Sequence, residues 1–419
     1  MKQTGFARRR VYGGFLAAGA FAAGLTLSAR GDEPGPAAAL SEPTPVEVGG
    51  TPIDIEQGGL APYFGDFDGD GLPDLFVGQF DGKLRIYPNR GTRERPRFDD
   101  FQWFKAGAAG EAAKVFPGPN DGGIGGSVGF VPQLVDFEGD GLLDVLSCTG
   151  NGAIVVFRRR KDGSFAEGES LKRADGLEIV GLPGAAAHAA DWDGDGGLDL
   201  VVPVQPVGLG LLRNTGSRRQ PTYGPAEAFT ADDDPVYTWS GSTAPVMADW
   251  DGDGLLDLIV GAGDGSVTYY RHAGAEQATT VEDGKELVPP FFFDEEEQVP
   301  KPGRGARPCV CDFDADGRLD LLVGGVWTSV VTPEVKLSEE ERAHDAALEK
   351  KLSALSKKFS AERGALDNET GSAREQRLAG LRVIGNQMRS MRRELTRPPP
   401  KPIVAPHGQV WVYLRSNDS

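Results

Sequence analysis

Cysteine, histidine and methionine are scarce in this chain of 419 residues, with three, four and four copies. Cys148, Cys309 and Cys311 are too few for a disulfide framework and wrongly spaced for a zinc site. Cys309 and Cys311 stand two apart on one strand face, where a mutual bridge is strained, so all three are expected as small buried residues. The four histidines offer no local pairing of a nucleophile with a base. Positive charge is also short: 44 Lys and Arg against 62 Asp and Glu leave a formal net charge of −18, which argues against nucleic acid as a partner. Helix formers are concentrated in one late stretch. Abundant Gly (59) and Pro (30) then point to an all-β body of short strands and turns.

The first thirty residues read as an export signal. Lys2, Arg8, Arg9 and Arg10 form a basic start, Val11 to Leu27 an apolar run, and Ser28-Ala29 a small-residue exit. Arg9-Arg10 faintly suggests a twin-arginine route. Left uncleaved, the run is marginally long enough to anchor the chain in a membrane. The expected division is 1–29 signal peptide, 30–45 linker, 46–335 β-rich repeats, 336–397 helical hairpin and 398–419 the end of the last repeat.

One nine-residue pattern occurs five times: Asp66, Asp68, Asp70, Asp74; Asp136, Glu138, Asp140, Asp144; Asp191, Asp193, Asp195, Asp199; Asp249, Asp251, Asp253, Asp257; and Asp312, Asp314, Asp316, Asp320 stand at its positions one, three, five and nine. Successive copies start 70, 55, 58 and 63 residues apart, which suits a four-stranded propeller blade with loops. A strand precedes each copy, with Pro62, Pro132, Pro245 and Pro308 at its start in four of five. An unbroken apolar run follows, such as Leu75-Phe76-Val77 or Leu258-Ile259-Val260, as expected of a strand buried on both faces. Asp81-Gly82, Asn151-Gly152 and Asp264-Gly265 then predict type I′ hairpin turns. Fourth strands are weakly written, near Phe98 to Phe104, Phe165 to Leu171, Tyr223 to Phe229 and Phe291 to Phe293.

The fifth copy is interrupted. Its second strand is expected to end near Trp327 and its third to be Gln409 to Tyr413. Between them Ser338 and Glu341 form a capping box, and Leu348, Leu352, Leu355 and Phe359, then Leu378, Leu381, Ile384, Met388, Met391 and Leu395, recur at helical spacing. Gly364 to Gly371 supplies the turn. The chain stops one strand short, and Val46 to Ile55 can supply that strand and close the ring.

Four carboxylates so close repel if bare. A Gly at position six (Gly71, Gly141, Gly196, Gly254, Gly317) permits the sharp turn that wraps a chain round a hard cation, and calcium accepts six to eight oxygens in a flexible shell. An EF-hand needs a Glu at position twelve, where this chain has Val77, Ser147, Val202, Val260 and Val323. Up to five structural Ca²⁺ ions are therefore expected.

The loop followed by an apolar strand resembles the FG-GAP/VCBS repeat family, over about residues 60 to 330 and 408 to 415. That resemblance implies a five-bladed β-propeller with calcium held between the first and second strands of each blade, and mostly adhesion or ligand-binding scaffolds. The leading expectation is an exported, non-catalytic binding protein whose partner is an extracellular protein or a glycan. The alternative is a polysaccharide lyase or hydrolase with its site in the central funnel, where His188, equivalent to Tyr63, Gln133, Val246 and Cys309, would lie. His272, His344 and His407 are expected in surface loops or the helix. The arginine-rich second helix and the aromatics Trp103, Tyr237 and Trp239 are further candidate contact surfaces.

Overall fold

In the computed structural model the described residues are 40–415 apart from 57, 108–110, 113–128, 150–151, 183–185, 206–207, 238–242, 275–277, 292–302, 332–338, 367–369 and 395–402. The export signal, Ser338 and Trp239 lie outside them. Four short strands precede the first sheet, a small hairpin of Glu47–Val48 and Thr51–Pro52 standing between β1 (Thr44–Pro45) and β2 (Ile55–Glu56); the sheet itself runs β3 (Ala61–Gly65), β4 (Asp74–Gly78), β5 (Leu84–Tyr87) and β6 (Gln102–Trp103). The second sheet is β7 (Gln133–Val135), β8 (Asp144–Cys148), β9 (Ile154–Phe157) and β10 (Glu169–Ser170). The third is β11 (His188–Ala190), β12 (Asp199–Val204), β13 (Gly208–Leu212) and β14 (Glu227–Ala228). The fourth is β15 (Ala244–Ala248), β16 (Asp257–Gly261), β17 (Val267–Tyr270) and β18 (Lys285–Val288). In each, neighbours in sequence pair antiparallel. The fifth sheet begins β19 (Arg304–Cys311) and β20 (Asp320–Val331), and after two helices ends with β21 (Ile403–Tyr413), in the order β19-β20-β21-β1, with β2 also on β21. The fold is thus all-β and mostly antiparallel with two helices; Thr230–Ala231 pairs parallel with Thr280–Val281.

Second strands are apolar throughout because each face meets a different neighbour. Phe76 and Val145 share a core between the first and second sheets, Leu146, Leu200 and Val202 one between the second and third, and Val201, Leu258, Leu321 and Val323 one spanning the third to fifth. Leu75, Val77 and Leu322 pack in a core shared by the first and fifth sheets. Each large side chain so buried contributes about 1.5–3 kcal/mol.

The structure departs from the sequence expectations in several places. Ordered pairing begins inside the stretch 30–45 expected as linker: Leu40 bridges Arg415 and β1 pairs with Val412 and Trp411. The edge strand expected over Val46 to Ile55 is split instead: Val46 N–H donates to Val410, residues 47–54 make an excursion, and Ile55 and Glu56 rejoin at Gly408 and His407. The free edge of β21 is eleven residues long, so it accommodates both pieces. The turn at Asp81-Gly82 is not type I′: Gly82 alone takes a positive φ, of 79°, its N–H donates to Gln79, and Gln79 pairs with Lys83 across the longer loop. The fourth strand of the fourth sheet falls on Lys285–Val288, before Phe291. Fourth strands pair over few residues at outer edges, so little apolar patterning marks them.

The helical unit, residues 329–405, is compact in itself. Its helices α1 (Glu339–Ala365) and α2 (Gly371–Glu394) bury Leu348, Leu381 and Ile384, whereas Leu378, placed in the same stripe by its spacing, is exposed. α1 runs through Gly364 rather than stopping there. Arg377 pairs with Glu362 and Arg374 donates to the Leu366 carbonyl at 2.7 Å, so part of the basic row holds the hairpin together.

Close approach of sheets is set by glycines on second strands. A Cβ on Gly324 would meet the Leu60 carbonyl oxygen at 2.2 Å and Pro62 Cδ at 2.6 Å. Gly324→Ala is expected to cost about 1–3 kcal/mol in urea unfolding. Gly224→Ala, whose Cβ meets nothing within 4 Å, should change stability by less than about 0.5 kcal/mol.

Candidate metal-binding loops

All five acidic loops connect the first and second strands of a sheet, and one residue organises each. The ninth-position aspartates Asp74, Asp144, Asp199, Asp257 and Asp320 are 0–4% exposed. Their Oδ2 atoms accept the backbone N–H of position two, from Phe67 (3.1 Å), Phe137 (3.2 Å), Trp192 (3.3 Å), Trp250 (3.3 Å) and Phe313 (2.9 Å). Their Oδ1 atoms accept a second N–H, from the residue two past the end of the third strand: Asn89, Arg159, Asn214, His272 and Arg415, at 2.7–3.3 Å. That donor stands fifteen residues on in four sheets and ninety-five on in the fifth, where the helical unit intervenes. Sequence reading assigned the ninth carboxylate to metal and missed the donors. The recurrent Asn89-Arg-Gly91 and Asn214-Thr-Gly216 at one offset were the available signal.

Positions one, three and five line the loop. Position five accepts the position-seven amide, as in Asp70 to Leu72 at 2.8 Å and Asp195 to Gly197 at 2.7 Å. Position one accepts the position-six amide, as in Asp66 to Gly71 at 3.0 Å and Asp191 to Gly196 at 3.0 Å. Gly71, Gly141, Gly196, Gly254 and Gly317 hold φ of 87–95°, a region that a side chain resists. In the fifth loop Ala315 replaces a position-four glycine and still adopts φ 58°.

Ligand-type oxygens of Asp66, Asp68 and Asp70, of Asp191, Asp193 and Asp195, and of Asp312, Asp314 and Asp316 lie within 4.8 Å of one another in each loop. Among the described residues Asp136, Glu138 and Asp140, and Asp249, Asp251 and Asp253, are not so grouped, and no ninth aspartate joins a group. Oδ1 atoms of Asp191, Asp193, Asp249, Asp251 and Asp312 are buried without a hydrogen-bond partner. Desolvation, with lesser repulsion from neighbouring carboxylates, raises Asp74, Asp249 and Asp320 to about 6. Desolvation likewise raises Asp144 to about 6 and Asp199 to about 7, and pushes Asp257 well up. Such a loop favours a positive guest.

Each loop is also tied to another sheet. Arg159 donates to the Phe67 carbonyl (2.7 Å), Arg218 to Asp136 (2.8 Å), Arg93 to Asp312 (2.7 Å) and Arg415 to Trp250, while the Trp192 indole donates to Ala278 (3.1 Å). The first sheet's Arg93 thus holds the fifth loop.

Other candidates fall differently. His188 accepts the Met247 N–H at 3.4 Å, and the density of protein around this half-buried ring pulls its pKa to about 4. His272 is no surface residue: it is 4% exposed and stacks on Trp192 at 4.7 Å. His407 lies in β21, 2.8 Å from Asp54, stacked on Trp327. The cysteines are free; Cys148 and Cys309 are buried, while Cys311, at the strand end beside the loop, is half-buried. Trp103 is half-buried under Lys83 and Arg85, and Tyr237 is exposed.

Asp199→Ala leaves the Trp192 and Asn214 amides unpaired, so a loss of roughly 2–4 kcal/mol is expected in urea unfolding, with Asp199→Asn intermediate. For His188, the unfolded chain binds a proton between about pH 4 and 6.5 that the folded chain does not, so stability falls as pH drops through that window. His188→Gln should flatten the difference between urea midpoints at the two ends of it.

Residues 136–202 and 249–323 match the family model described as an FG-GAP-like repeat, and these stretches carry the second to fifth loops. The first loop lies outside the match yet has the same ninth-position geometry. No curated protein matches the chain.

Proposed function

We propose that this chain of FG-GAP-like repeats is an exported, calcium-stabilised scaffold that binds an extracellular protein or a glycan and carries no catalysis of its own. Its five sheets are read as blades of a closed propeller. The observation that carries the calcium reading is the set of buried, unpartnered carboxylate oxygens at Asp191, Asp193, Asp249, Asp251 and Asp312. A hard cation offered to those oxygens satisfies them, and the position-one, -three and -five carboxylates would hold it. Closure is supported by the core that Leu75 and Leu322 share and by Arg93 on the Asp312 carbonyl. Export rests on the basic and apolar N-terminal segment. No helix among the described residues is long and apolar enough to cross a membrane. The His188 environment offers a hydrogen-bonded inner-strand residue, which favours a binding role over funnel chemistry.

At free calcium a hundredfold above its dissociation constant, each occupied loop contributes about 2.7 kcal/mol to folding. Thermal melts should therefore shift upward with calcium and fall with chelator. An unchanged midpoint would sink the calcium reading.

A further inference from the structure

The loops differ in what already neutralises them. The residue just before each third-strand amide donor is Arg158, Arg213 or Arg271 in the second to fourth sheets, but Pro88 in the first and Leu414 in the fifth. Each of these arginines reaches the position-three carboxylate: Arg158 to Glu138 at 2.7 Å, Arg213 to Asp193 at 2.8 Å and Arg271 to Asp251 at 2.9 Å. Arg271 also holds Asp253 at 3.1 Å, so one guanidinium engages positions three and five together. In the fifth loop Arg318, from position seven, pairs with Asp316. No arginine or lysine pairs with a first-loop carboxylate among the described residues.

The fourth loop is where the two demands meet. The Asp251 side chain is 9% exposed, and its Oδ1, like that of Asp249, is buried with no partner, while its Oδ2 is taken by Arg271. Two oxygens are thus left for a cation beside a fixed positive charge. The loop oxygens here do not draw together as they do in the first, third and fifth loops. Affinity of an oxygen site for a divalent ion follows the charge and number of its free ligands, and a guanidinium lowers both.

We propose that Arg271 is an internal counter-cation that keeps the fourth loop weak for divalent cations, with Arg158 and Arg213 acting less strongly on the second and third, so that the loops fill in sequence as calcium rises. This rests on the calcium reading above. A cation arriving at the fourth loop displaces Arg271 from Asp253 or accepts fewer protein oxygens.

The test is calorimetric and native-mass titration of the chelator-stripped full chain with Ca²⁺. The unmutated protein should show more than one affinity class. Arg271→Met should tighten the weakest class on the order of tenfold, whereas Arg271→Lys should leave it weak. If Arg271→Met fails to fold, Arg213→Met reads the same tightening in the third loop. If the class of the loop whose arginine is removed, the weakest for Arg271→Met or the third loop's for Arg213→Met, is unchanged or loosened in a folded variant that still takes up calcium, the grading alone is overturned. No uptake by the unmutated chain overturns the calcium reading and the grading with it.

Discussion

A buried carboxylate that accepts two backbone amides is the interaction from which the rest of each sheet is assembled. Asp74 and its four counterparts fix the acidic loop through one oxygen and the end of the third strand through the other. Burial makes the charge costly, and desolvation accordingly pushes the pKa of each upward. Both amides would otherwise lose water without gaining a partner, so the pairing holds. With the ninth residue anchored, positions one, three and five project into a turn that the position-six glycine alone can close.

Sheets touch through their second strands, which bury both faces, through arginines that reach a loop carbonyl on another sheet in four loops, and through the Trp192 indole in the third. These couplings place every acidic loop in contact with a neighbour. Tightening a loop would therefore tighten an interface: Asp312, Asp314 and Asp316 belong to the same loop whose carbonyl Arg93 holds from the first sheet. On the proposed calcium reading, metal affinity and sheet packing would be one equilibrium.

The interrupted fifth sheet shows how tolerant this design is. The ladder between β20 and β21 needs only that the chain return in register, and Arg415 meets Asp320 as Asn89 meets Asp74. A unit with its own packed leucines can occupy the gap because the hydrogen bonds that define the sheet lie on either side of it.

Local chemistry was legible in the sequence wherever a residue's role is fulfilled within about a dozen neighbours. The five loops, their glycines, the apolar second strands and the two helices followed from spacing and residue type. The fourth strands of the first three sheets fall inside the stretches expected for them, whereas that of the fourth sheet, Lys285–Val288, precedes the expected Phe291 to Phe293. The residues Arg158, Arg213 and Arg271 look like ordinary surface arginines along the chain, as does His272, and only the ladder brings them to a carboxylate or under an indole.

The sequence by itself determined where the acidic loops lie, that each follows one plan and that the strands after them face apolar surroundings on both sides. Tertiary structure decided which oxygens each loop keeps free, since that depends on amides and guanidiniums fifteen or more residues away. It also decided that the ninth aspartate is a staple for two amides, because a carboxylate's partners are chosen by burial and geometry, and spacing along the chain encodes neither.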